Sequence, residues 1–170
     1  MNATGHADFS PDGSKYAMVS ADNNLMILNF DRCSGNFSLL DSVHVPNPTV
    51  GQPDNEVFSC SFSPNSRFLY TIAYTKIIQY DTWAADIATS GIYVAQWDTF
   101  SLPFNTYFNM SQLAPDNKIY ISTYGGCYLL HYINDPDSAG TSCHVIQNSF
   151  LLPRANIGLP NFPNYTFRNQ

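Results

Sequence analysis

Apolar residues in this chain gather in short dense runs parted by clusters of Asn, Asp, Gly, Pro and Ser, and no stretch carries the 3.6-residue spacing of an amphipathic helix. Tyr16–Ala21, Phe68–Tyr74 and Ile119–Tyr124 read as strands, as do Leu25–Phe30, Ile77–Tyr80 and Cys127–Ile133. A third set follows at Phe37–Val45, Gly91–Trp97 and His144–Phe150. Between the first two sets lie Asp22-Asn23-Asn24, Thr75-Lys76 and Gly125-Gly126, whose Asn, Asp and Gly suit tight hairpins. Several runs, such as Leu25-Met26-Ile27-Leu28 and Cys127-Tyr128-Leu129-Leu130, are apolar almost throughout, the pattern of strands covered on both faces.

The runs repeat. Phe9-Ser10-Pro11-Asp12-Gly13, Phe62-Ser63-Pro64-Asn65-Ser66 and Leu113-Ala114-Pro115-Asp116-Asn117 are versions of one turn phrase, with prolines 53 and 51 residues apart. Such a period marks a repeat architecture, in which each unit buries its faces only against its neighbours. Each unit reads as a four-stranded antiparallel meander. The predicted fold is therefore all-β, a stack of about three β-propeller blades over residues 3–50, 55–100 and 107–150, with a closing tail over 151–170. Propellers close with four to eight blades. Three units imply either a piece of a longer polypeptide or copies that associate, two chains making six blades.

Composition narrows the partners. The chain has 170 residues, 44% hydrophobic and 15% aromatic, with only 12% charged and a net charge of −6. Seven scattered Lys and Arg argue against nucleic acid, whose phosphates require clustered cations. No run is long enough to span a membrane, and Met1–His6 lacks the basic start and apolar stretch of a secretory leader.

Candidate chemistry is sparse. Cys33, just past one strand, and Cys60, on the next inner strand, stand where a disulfide would staple neighbouring units; buried free thiols are the alternative. Asp135 and Asp137 in the loop Asn134–Ser138 offer oxygen ligands for Ca²⁺, although loops use the same residues for turns. No other cofactor is expected. His131 counts to the same place in its unit as Asn29 and Gln79, which reads as a structural polar position. No nucleophile elbow is present, and no catalytic residues are expected. The richest feature is aromatic. Trp97, Phe100, Phe104 and Tyr107 crowd the connection between the second and third units, either as packing between blades or as a ledge for a carbohydrate or protein ligand.

The phrases Asn29-Phe30-Asp31-Arg32-Cys33-Ser34-Gly35 and Gly158-Leu159-Pro160-Asn161-Phe162, with the three proline turns, resemble propeller repeats of large secreted or cell-surface Bacteroidetes proteins exported by type IX secretion. The resemblance implies an extracellular, multidomain protein and carries over no enzymatic residue. Two functions follow as expectations: a non-catalytic module for ligand binding, adhesion or scaffolding, and a fragment of a lactonase- or hydrolase-like propeller enzyme with its site in the central channel.

Overall fold

The computed structural model describes residues 6–20, 24–45, 57–156 and 158–159. Within them the chain forms twelve strands in three four-stranded sheets. The first blade is β1 (Ala7–Phe9), β2 (Lys15–Val19), β3 (Asn24–Phe30) and β4 (Phe37–His44). The second is β5 (Val57–Phe62), β6 (Phe68–Ala73), β7 (Lys76–Asp81) and β8 (Ile92–Gln96). The third is β9 (Phe108–Leu113), β10 (Ile119–Thr123), β11 (Cys127–Ile133) and β12 (Val145–Asn156). Every sheet is an antiparallel meander in chain order, as the sequence predicts. Residues 22 and 23 of the first hairpin turn, and residues 157 and 160–170 of the expected tail, lie outside the described residues.

The three proline turns share one conformation. Gly13, Ser66 and Asn117, each two residues past its proline, have φ of 68°, 64° and 64°. Gly13 donates its backbone N–H to Ser10 O, Ser66 to Ser63 O and Asn117 to Ala114 O. In the first two turns the serine hydroxyl accepts a further backbone bond, from Lys15 N and from Phe68 N, both at 2.9 Å.

The third turn has Ala114 in place of that serine and closes one residue tighter. Phe9 pairs with Tyr16 and Phe62 with Leu69, but Leu113 pairs with Ile119. A one-residue change of register exchanges the two faces of a strand. It turns Ile119 and Ile121 toward the second blade, whereas counting from Pro115 alone would turn them away. The pairing of the middle strands makes Ile27, Gln79 and Tyr132 the equivalent residues of the three units. The equivalence of His131 with Asn29 and Gln79 expected from the sequence is thereby corrected.

The second blade is sandwiched. On one side Phe62, Leu69, Ile78 and Tyr80 pack with Ala17, Val19, Leu25, Ile27 and Val43 of the first blade. On the other, Phe68, Tyr70, Ile72, Ile77 and Val94 pack with Phe108, Ile119, Ile121 and Ile133 of the third. Each such fully buried Leu, Ile or Phe contributes about 2 kcal/mol of burial. The innermost strands meet through hydroxyls instead: Ser111 Oγ lies 2.9 Å from Ser59 Oγ and 2.8 Å from Ser61 Oγ, all buried. Small side chains suit the place where β5 and β9 run closest, and their mutual bonds remove the cost of burying them. Among the described residues the flanking blades have a neighbouring sheet on one side only. Leu25 and Ile27 of β3 are therefore buried while Met26 between them is exposed.

The shared turn makes a prediction. Gly13→Ala places a Cβ at positive φ and should cost about 1 kcal/mol or more, since the Arg32 side chain it meets can move aside. Asn117→Gly relaxes the same dihedral and should leave stability unchanged or raised. Urea unfolding midpoints of the two variants check this.

Candidate functional site

The end of the stack opposite the proline turns carries a ladder of five rings. Phe58 is the second residue of β5, Tyr74 follows β6, Trp97 follows β8, Tyr107 precedes β9 and Tyr124 follows β10, so all five come from strand ends at that edge. Phe58 and Tyr124 stack at 5.8 Å with their planes 21° apart. Tyr74 lies 5.7 Å from Phe58, 5.3 Å from Tyr124 and 4.2 Å from Tyr107. Trp97 completes the row at 4.2 Å from Tyr107. Tyr124 is exposed and the other four are half-buried.

The backbone beneath fixes this row. Trp97 N donates to Thr75 O, Phe108 N to Tyr74 O and Tyr124 N to Tyr107 O, at 2.8 to 3.0 Å. The Trp97 indole donates to Thr106 Oγ1 at 3.3 Å, and Asn105 Nδ2 donates to the Tyr107 hydroxyl at 2.8 Å. Of the four aromatics singled out in the sequence, the structure brings Trp97 and Tyr107 together. Phe100 and Phe104 stand exposed on the adjoining loop, which the carboxylate of Asp98 ties to Asn148 Nδ2 at 2.9 Å. Phe58, Tyr74 and Tyr124 were missed because they come from three different strands. Their common signal was an aromatic at one strand terminus in successive units.

The other candidates have separate places. Asp135 and Asp137 border a cleft of about 370 Å³ together with Pro64, Asn65, Asn117 and Asn134. The Asp135 carboxylate lies 2.8 Å from His144 Nδ1 and accepts from Asn134 Nδ2 at 2.9 Å, and these partners hold it below the usual carboxylate range. Asp137 accepts from Asn65 N at 2.9 Å. Among the described residues no three His, Cys, Asp or Glu converge as a metal-binding group. A buried clamp from the second blade secures the loop. Tyr70 donates to Pro136 O at 2.8 Å, Gln79 Nε2 to Ser138 O at 2.8 Å, and Gly140 N to Gln79 Oε1 at 2.7 Å.

The expected Cys33–Cys60 bridge is not formed. All four cysteines are free, with Cys33 exposed and Cys60 buried. Cys33 lies in the turn after β3, its N–H bound to Asp31 Oδ1, while the Cys60 thiol faces inward, 3.8 Å from the backbone oxygens of His6 and Ala17. Burial pushes that thiol well above its ordinary pKa, so it is a packing group and no nucleophile.

Buried His131 and half-buried Asp8 titrate in opposite senses. His131 lies 2.9 Å from Thr106 O through Nε2 and accepts from Asn148 N through Nδ1, the bonding of a neutral ring. Burial pushes its pKa down to about 4. Asp8 is pushed up to about 6 by burial between the first two blades, where its carboxylate accepts from Phe62 N.

No family model matches the chain, and no curated protein matches it. Solved structures do. A putative 6-phosphogluconolactonase from Bacteroides uniformis matches over 88% of this chain and 42% of its own, with a TM-score of 0.57 and 20% identity. A protein from Lactobacillus plantarum matches over 88% and 42%, at TM-score 0.53 and 17% identity. The dihydro-heme d1 dehydrogenase NirN matches over 86% and 28%, at 0.56 and 13%. The blades form an open arc of a propeller. The chain spans less than half the length of each of these structures, and at such identities the likeness is one of fold.

The titrating pair yields a prediction. His131, lowered in the fold, contributes stability that is full above about pH 6.5 and lost as pH falls through 4; Asp8, raised in the fold, contributes stability that is full below about pH 4 and lost as pH rises through 6. The two oppose each other across that window. Asp8→Asn should make stability fall more on acidification from pH 6.5 to 4 than in the parent chain, and His131→Asn should make it fall less. Chemical denaturation at a series of pH values reads both slopes.

Proposed function

We propose that this chain is a non-catalytic ligand-binding portion of a β-propeller protein and that the ladder Phe58–Tyr74–Tyr124–Tyr107–Trp97 is a ledge for a carbohydrate. The observation that carries the reading is the row itself: five rings in contact, set on strand ends, with Tyr124 exposed and the other four half-buried. Exposed ring surface of this cluster, that of Tyr124 above all, suits the C–H faces of sugars, while the Tyr107 hydroxyl and Asn105 amide supply a polar rim. Sites in propellers and similar scaffolds gather at one end, where loops meet, and this ladder occupies such an end. The resemblance of the turn phrases to secreted Bacteroidetes repeats supports a place at the cell surface, with adhesion as the use of the site.

A second reading has the chain as part of a lactonase-like propeller enzyme. The fold likeness to the putative 6-phosphogluconolactonase supports it. In that case the reacting groups would come from the channel and from blades beyond this arc.

Glycan-array binding with a parallel melting curve tests the first reading. Tyr124→Ala removes an exposed ring and should weaken glycan binding about tenfold, roughly 1.4 kcal/mol, with little change in melting temperature. Unchanged binding in Tyr124→Ala, or capture of peptides in place of glycans, would contradict it.

A further inference from the structure

The connection from β8 to β9 contains a hairpin that holds its apolar side chains away from the protein. Ser101 pairs with Asn105, Leu102 N donates to Phe104 O at 2.8 Å, and Thr106 N donates to Phe100 O at 3.1 Å. Its base is braced at three points. Thr106 O lies 2.9 Å from the buried His131 ring, the Asp98 carboxylate accepts from Asn148, and the Cys127 thiol lies 3.4 and 3.5 Å from Phe104 O and Asn105 O. On this frame Phe100 is 45% exposed, Leu102 45% and Phe104 61%. A slack loop would fold such side chains back onto the surface, whereas these bonds fix them outward. Further blades do not cover them. The sheets of a propeller stand beside one another, face to face, and this hairpin projects where the strands end.

Three properties of the hairpin select its partner. Residues 99–107 carry no charged side chain. The polar side chains bond within the hairpin: Ser101 Oγ donates to Asn105 Oδ1 at 2.6 Å, Asn105 Nδ2 to the Tyr107 hydroxyl at 2.8 Å, and Thr106 Oγ1 to Phe100 O at 3.0 Å. A protein partner draws on free donors and acceptors, while hydrocarbon requires them to be satisfied beforehand. Behind the apolar tip come Trp97 and Tyr107, rings that carry a polar atom. Beside them are the cations Lys76, paired with Gln96, and Arg154, two residues before the Asn156 that pairs with Cys127. Phe and Leu outermost, Trp and Tyr next and cations behind is the order of side chains across a membrane interface. We propose that the hairpin inserts Phe100, Leu102 and Phe104 shallowly into an anionic lipid surface. The contact is reversible, since three partly exposed side chains bury less than a paired lipid anchor. It goes beyond the carbohydrate reading and does not need it.

Co-sedimentation of the 170-residue chain with sugar-free vesicles of phosphatidylcholine and anionic phosphatidylglycerol tests the proposal. The parent chain should pellet with the vesicles. Phe104→Ser should weaken that binding about tenfold, with the far-ultraviolet dichroism of the parent chain retained. The two tryptophans report the orientation. Trp97 adjoins the hairpin, while Trp83 follows β7 at the proline-turn end, its N–H bound to Asp81. With brominated lipids, the fluorescence of Trp83→Phe, which keeps Trp97, should be quenched, and that of Trp97→Phe, which keeps Trp83, should not. A parent chain that stays in the supernatant would overturn the proposal. Full binding by Phe104→Ser would do the same, by showing a purely electrostatic contact, as would quenching confined to Trp83. A chain that ignores the vesicles but binds glycans through Tyr124 would overturn the lipid contact and leave the carbohydrate reading standing.

Discussion

The middle blade carries Phe62, Leu69, Ile78 and Tyr80 on one face and Phe68, Tyr70, Ile72 and Ile77 on the other, so only a sheet on each side can keep it from water. That demand sets the stacking of the molecule. Bringing three sheets together forces their innermost strands into close approach, and there the side chains shrink to Ser59, Ser61 and Ser111, which satisfy one another's hydroxyls. Farther out, Gln79 and Tyr70 reach across to the backbone of Pro136, Ser138 and Gly140 and lock a polar loop onto the same seam. Apolar burial supplies the energy of the stack, and these polar ties fix the position of one blade on the next.

Much of this was legible in the chain. The turn phrases located all three hairpins between the first and second strands, because proline and a residue tolerant of positive φ are needed wherever that turn occurs. Unbroken apolar runs identified doubly covered strands, and Tyr70-Thr71-Ile72 is covered in this way. The rule over-reads Leu25–Leu28, where Met26 is exposed, because an end blade carries the side chains of an interior one without the neighbour. The face of β10 was not legible. It depends on a turn one residue tighter where Ala114 lacks the hydroxyl that Ser10 and Ser63 give to the backbone, and simple counting along the repeat crosses that shift unnoticed.

The site was half legible for a related reason. Trp97 and Tyr107 fall in one connection and are visible as a local cluster, whereas Phe58, Tyr74 and Tyr124 join them only through the pairing of strands from two blades. Phe100 and Phe104 are sequence neighbours of the ladder but stand on a separate excursion of the chain. The cysteines show the converse. Order along the strands brings Cys33 and Cys60 into adjacent units, yet one ends in an exposed turn and the other inside the seam. Proximity in the order of elements is weaker than the direction in which a strand turns each side chain.

Native-state amide hydrogen exchange on the intact chain tests the stacking most directly. If the middle blade is held by a sheet on either side, the amides of β6 and β7 should exchange only with global unfolding, while those of the outer strands β4 and β12 exchange by local opening at much lower cost. Equal protection of all three blades, or faster exchange in β6 than in β4, would contradict the account.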